Sequence, residues 1–172
     1  MKKMTYILVI IIVLFILYYF VFKKSEYEKE FAFVLKKVKN RYGENIAKNV
    51  EKMYRLETNH FKSGQFKGTY SPGMEKFGNN YPYGWNTIAK IFWDIYPINQ
   101  PVGFWSGKEG KTGKQKTFLK FPSLQSAVFT LAEFLKHYGN NPGRWYSLNK
   151  DSQTRYNNSI SKINTPIYDS IS

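Results

Sequence analysis

The chain has no cysteine. That absence excludes disulfides, thiol catalysis and thiolate metal sites. It leaves the compartment open, because exported bacterial proteins often lack cysteine. Histidine is nearly as scarce, with only His60 and His137, far apart in the chain. Without clustered ligands, no metal and no cofactor is expected. No internal repeat or low-complexity linker interrupts the 172 residues. No helix-turn-helix, RNA-binding or zinc-finger pattern occurs either, so no specific nucleic-acid partner is expected. Glu109-Gly-Lys-Thr-Gly113 lacks the spacing of a phosphate-binding loop.

Charge is absent from Met4 to Phe22, a run of 19 residues rich in Ile, Leu, Val, Phe and Tyr. As a helix it would reach about 28 Å, close to a bilayer core of about 30 Å. Lys2 and Lys3 precede it, and Lys23 and Lys24 follow. Tyr18, Tyr19 and Phe20 stand where an interfacial belt belongs. A cleavable signal peptide needs a small-x-small site, which Tyr18-Tyr-Phe-Val-Phe22 does not offer. Residues 1–24 therefore read as a single uncleaved transmembrane signal anchor, and 25–172 as one domain. The flanking lysines balance, so charge alone does not set the orientation.

Acidic residues are few. All 12 lie beyond residue 24, against 26 basic ones, of which four precede residue 25. The domain keeps a net +10 and should be drawn to polyanions: wall polymers, lipid headgroups and, as a minority reading, nucleic acid. Aromatics make up 19 % of the chain, enough for a core and for rings that stack on the apolar faces of sugars.

The domain reads as mostly α with long loops. Ser25-Glu-Tyr-Glu28 is a capping box. The helix behind it buries Tyr27, Phe31, Val34, Leu35, Val38 and Tyr42, and Gly43 stops it. A second helix from Glu44 turns Ile46, Val50, Met53 and Tyr54 inward. Residues 58–84 read as loop. A short helix follows with Ile88, Ile91, Phe92 and Ile95 inward, ended by Pro97. Gln100 to Gln115, with Trp105, reads as a second long loop. Pro122-Ser123 opens a helix burying Leu124, Ala127, Val128, Leu131, Leu135 and Tyr138, closed by Gly139. A last helix from about Asp151 carries Tyr156, Ile160 and Ile163.

Glu57 breaks the pattern of the second helix. At about 100° per residue it falls roughly 20° from Ile46, on the buried stripe. An apolar setting raises a carboxyl's pKa, and an acid still protonated near neutral pH is what glycoside cleavage requires. The alternative is a helix-ending residue that points to water or pairs with a lysine. His60 lies three residues on and is expected at the surface. Glycoside cleavage usually pairs the acid with a second carboxylate, for which Glu75 and Glu109 are the loop candidates; Asp94 is expected on a helix surface.

Glu57, Thr58, Phe61 and Ser63 match the signature Glu-[Ser/Thr]-x-x-Phe-x-Ser. In this the chain resembles the lysozyme-like superfamily, in its phage and bacterial glucosaminidase and lytic transglycosylase branches. The likeness spans about residues 40–165 as an order of helices and loops. Tyr138-Gly-Asn-Asn-Pro-Gly143 loosely resembles the AYNAGPG-like segment of transglycosylases without its alanines, and their early Gly-Leu-Met-Gln segment is missing.

The resemblance implies a lysozyme-like helical domain that cleaves the β-1,4 bond between N-acetylated amino sugars of peptidoglycan. Glu57 would be the general acid and base, and Ser63, Phe61, Tyr138 and Tyr156 would bind substrate. A transglycosylase would use Glu57 alone and release a 1,6-anhydro sugar. The domain would face the wall outside the cytoplasmic membrane, or project from a lipid-containing virion. The alternative is a membrane-anchored module that binds wall glycan or braces the envelope without cutting.

Overall fold

The computed structural model describes residues 11, 26–74, 91–108 and 113–171. The apolar run at 4–22 lies outside them apart from Ile11, as do Ser25, Glu75, Ile88 and Glu109. Among the described residues no helix is long and apolar enough to cross a membrane.

The fold is mostly helical, and its centre is three long helices. Helix α1 (Glu26–Tyr42) places Glu26 and Glu28 in its first turn and Lys39 and Arg41 in its last, matching the helix dipole. It buries Phe31, Val34, Leu35 and Val38, with Tyr27 and Tyr42 packed partly against the same core. Gly43 turns the chain at φ +88°, a conformation open to glycine. Helix α2 (Glu44–Glu57) then returns beside α1, bringing Arg55 to 3.9 Å from Glu28. It buries Ile46, Ala47, Val50, Met53 and Tyr54. After the short helix α3 (Gly64–Thr69) and the loops beyond it comes α4 (Leu124–His137), whose N-terminus Ser123 caps by accepting from the Ser126 amide. Lys37 bonds Gln125 and Tyr42 bonds Glu133, so α4 runs parallel to α1.

The C-terminal part adds α5 (Gly143–Tyr146), α6 (Lys150–Ser161) and α7 (Pro166–Asp169). Helix α6 packs on α2 and α5, and α7 on α1 and α2. Glu51 fixes α7. Its carboxylate is fully buried on α2 and accepts from the Ile167 and Tyr168 amides at 3.0 and 2.7 Å. Arg55 Nε donates to it as well, at 2.7 Å.

Three expectations need correction. Residues 100–115 are not all loop. Strand β1 (Gly103–Lys108) pairs antiparallel with β2 (Gln115–Lys120), Trp105 opposite Phe118 and Ser106 opposite Thr117. Cross-strand pairing makes this hairpin; β1 alone, with two glycines in six residues, carries little strand signal. Trp105 lies across Gly107, where a Cβ would fall 2.0 Å from the ring. Second, helix α3 interrupts the expected loop after Glu57. Third, in the helical stretch 91–95 Phe92 and Trp93 are buried while Ile91 and Ile95 are exposed. Trp93 wins the core side because its Nε1–H finds Thr130 Oγ1 at 3.1 Å.

Candidate active site

Glu57 ends α2 at a turn of unusual geometry. Asn59, His60 and Phe61 all have positive φ, of 48°, 54° and 65°. Such backbone costs a non-glycine residue about 1–2 kcal/mol. Bonds hold the turn in place. The Thr58 hydroxyl donates to the Tyr54 carbonyl and accepts from the Phe61 amide at 2.9 Å. The Thr58 carbonyl accepts from the amides of Lys62 and Ser63 at 3.0 and 2.9 Å.

The signature residues thus acquire physical roles. Thr58 ties the turn. Phe61 is 3 % exposed and packs among Phe31, Tyr54 and Phe66, so its ring belongs to the core and not to a substrate surface. Ser63 Oγ accepts from the Phe66 amide at 3.1 Å and caps α3. His60 is exposed, with Nδ1 3.3 Å from Arg55 Nη1. Tyr138 is half-buried, packed on Phe134 and beneath the Arg144 guanidinium. Asp94 lies exposed on its helix.

Tyr156 is brought to Glu57. From α6 its hydroxyl donates to Glu57 Oε1 at 2.5 Å, across 99 residues of sequence. Its ring is 6 % exposed, and on its face lies Tyr146, with centroids 5.1 Å apart and planes 13° from parallel. Tyr146 itself is 63 % exposed. Gly143 makes this stack possible. A Cβ there would fall 2.7 Å from the Gln153 backbone, so α5 and α6 meet closely only without one. The Gly143 amide is held by Asn141 Oδ1 and Asn157 Oδ1 at 3.0 and 2.7 Å.

The other carboxylate oxygen, Oε2, faces Gly73, whose missing Cβ would sit 3.7 Å away. Gly73 has φ +86° in a loop built by its neighbours: Ser71 Oγ accepts from the Met74 amide, and the Met74 carbonyl accepts from Leu119 of β2, each at 2.8 Å. A side chain at 73 would cover Oε2. Glycine leaves that position without one.

Glu57 is half-buried, and among the described residues no cation pairs with it. Burial raises its pKa above the usual carboxylate value, and the Tyr156 hydrogen bond opposes this in part. Burial, then the charge of Glu57, pushes the Tyr156 phenol well above its usual value, so Tyr156 stays a donor. The cluster can therefore hold a proton on Glu57 Oε2, with Tyr156 on Oε1 and the exposed Tyr146 ring stacked on Tyr156.

Sequence reasoning missed Tyr146 and Gly73. Tyr146 stands out only through packing that no spacing reveals, although Trp145-Tyr146 just beyond Gly143 was a usable aromatic signal. Among the described residues no group of three or more His, Cys, Asp or Glu is placed to hold a metal. No protein-family model, curated protein or solved structure matches the chain.

Proposed function

We propose that the chain is a membrane-anchored enzyme with a lysozyme-like domain, cleaving the β-1,4 bond between N-acetylated amino sugars of peptidoglycan. One observation carries the reading. Glu57 is a shielded carboxyl with no cationic partner among the described residues, its pKa raised, one oxygen engaged by Tyr156 and the other facing Gly73. Catalytic acids are tuned in this way.

The donor bond from Tyr156 to Oε1 leaves the proton on Oε2. From there it passes to the glycosidic oxygen as the C1–O bond breaks, and positive charge develops on the departing sugar ring. The ionised Glu57 then takes a proton, from water in hydrolysis or from the sugar's own 6-hydroxyl in formation of a 1,6-anhydro product. The outer face of Tyr146 suits a sugar's C–H face next to the acid. Glu75 and Glu109 remain the candidates for a second carboxylate, in the hydrolytic form of the reaction. The anchor at 4–22 would hold the domain against the wall, outside the cytoplasmic membrane.

The test uses the full chain in mild detergent with purified peptidoglycan, alongside Glu57→Gln. Turbidity is followed and released fragments are weighed. Clearing by the wild type alone supports the enzyme, and fragment masses separate anhydro from reducing ends. Binding without clearing by either form would overturn the catalytic reading and leave a wall-binding module.

A further inference from the structure

The domain carries exposed apolar side chains interleaved with cations on α1 and on the segment at 95–98. On α1, Phe33 is 63 % exposed and Lys37 Nζ sits 4.4 Å over its ring. Lys37 bonds Gln125 at the start of α4, and the adjacent Ser126 hydroxyl donates to the Ile98 carbonyl. Ile98 is 81 % exposed. One turn further along α1, the Arg41 guanidinium covers the Tyr96 ring at 4.7 Å. Beside Tyr96, Ile95 is 63 % exposed, and it shares with Arg41 and Lys136 a hollow of about 440 Å³. Contacts through Lys37, Gln125 and Ser126 thus run from Phe33 to the Ile98 backbone, and Arg41 links α1 to Tyr96 beside Ile95. Its anions are Glu133, already engaged by Tyr42 and Arg41, the exposed Asp94, and the exposed Glu26 and Glu30 on the same stripe of α1 as Phe33, against Lys29, Lys36, Lys37, Arg41 and Lys136.

Apolar side chains this exposed and clustered mark an interaction site, and a basic rim selects an anionic partner. We infer that this face, centred on Phe33, Ile95 and Ile98, lies against the anionic headgroup surface of the membrane that holds the anchor. The length of chain supports that partner. Only Lys23, Lys24 and Ser25 stand between the apolar run and Glu26, a length of chain of at most about 14 Å. Phe33 lies about 10 Å along α1 from that point. A tether so short keeps the face at high effective concentration near the lipid. Juxtamembrane lysines and arginines add attraction to an anionic leaflet.

This placement rests on the proposed anchor at 4–22; it is compatible with the proposed chemistry and does not depend on it. Helix α6, which carries Tyr156, packs on α2 and α5 and not on α1. With α1 laid on the bilayer, α2 separates the membrane from α6.

The experiment exploits the cysteine-free sequence. Ile98→Cys and Phe33→Cys full-length chains, both at exposed positions, are labelled with a polarity-sensitive dye. Each is placed at one copy per lipid nanodisc, made of phosphatidylcholine with or without phosphatidylglycerol. Arg155→Cys, on exposed α6, is the control. In anionic discs the labels at 33 and 98 should shift to the blue and lose most of their emission to a quencher carried near the lipid glycerol. High salt should reverse part of the loss, and the label at 155 should stay aqueous. Aqueous emission from 33 and 98 in both lipids would overturn the inference. So would a shift that appears only with several copies per disc, which would mean a second copy covers the face.

Discussion

Glu51 and Glu57 stand six residues apart on α2 and are buried on different terms. Glu51 has Arg55 and two backbone amides, so its charge is satisfied where it lies. Glu57 has one phenol. Replacing Glu51 by Gln leaves Arg55 underpaired and loosens α7, at a cost of about 3–5 kcal/mol in denaturant unfolding. Replacing Glu57 by Gln acts in the opposite sense. A raised folded pKa means the native state binds more protons than the unfolded chain. The stability this gives is fully present below the ordinary value of 4.5 and is lost as pH rises through the raised value. Glu57→Gln removes that loss and keeps an acceptor for Tyr156. Its melting temperature should equal or exceed wild type at pH 7, with activity down about 10²–10⁴-fold. Calorimetry across pH checks the first, and wall clearing the second. Tyr156→Phe tests the hydrogen bond. That bond lowers the Glu57 pKa, so its loss should raise it further. The alkaline limb of the rate profile should move to higher pH while the ring stack on Tyr146 survives.

Among the elements, the long helices were legible because each repeats apolar residues at helical spacing and has a readable end. Gly43 stops α1, Ser123 caps α4, and the residues expected inside α2 are buried. Glu57 on the buried stripe was legible for the same reason. The hairpin was not, because Trp105 and Phe118 acquire their meaning only across the strands. Nor were Ile91 and Ile95, since periodicity does not say which side of a short helix wins when a tryptophan finds Thr130. In the site, Tyr156 was a candidate by position, but its bond to Glu57 spans 99 residues. The junction of α5 and α6 shows what sequence holds only implicitly. Gly143 is there for contact with Gln153, and that contact sets Tyr146 on Tyr156. Gly143→Ala should push the two helices apart and destabilise the domain by about 1–3 kcal/mol. If Tyr146 carries the sugar, KM on an N-acetylglucosamine oligomer should rise more than kcat falls. An unchanged KM would remove Tyr146 from the binding surface.

At the scale of the whole molecule, charge is the property that no single residue explains. Four of the 26 basic residues precede position 25 and all 12 acidic ones follow it, leaving the domain at +10. Ion pairs engage Arg41, Lys48 and Arg55 with Glu133, Glu44, Glu28 and Glu51. The net excess of ten makes a positive field that would concentrate the domain on an anionic polymer, and such a field is screened over about 10 Å at 0.1 M salt and about 3 Å at 1 M. The chemistry proposed at Glu57 would rest instead on burial and a short hydrogen bond, which salt reaches far less. The two contributions should separate by substrate. Raising salt from about 0.05 to 0.5 M should slow clearing of intact anionic wall about tenfold or more. Over the same range, cleavage of a neutral N-acetylglucosamine oligomer should change less than about twofold. Equal losses on both substrates would mean that salt acts on the fold or the site. No loss on either would mean that the charge serves a partner other than the wall.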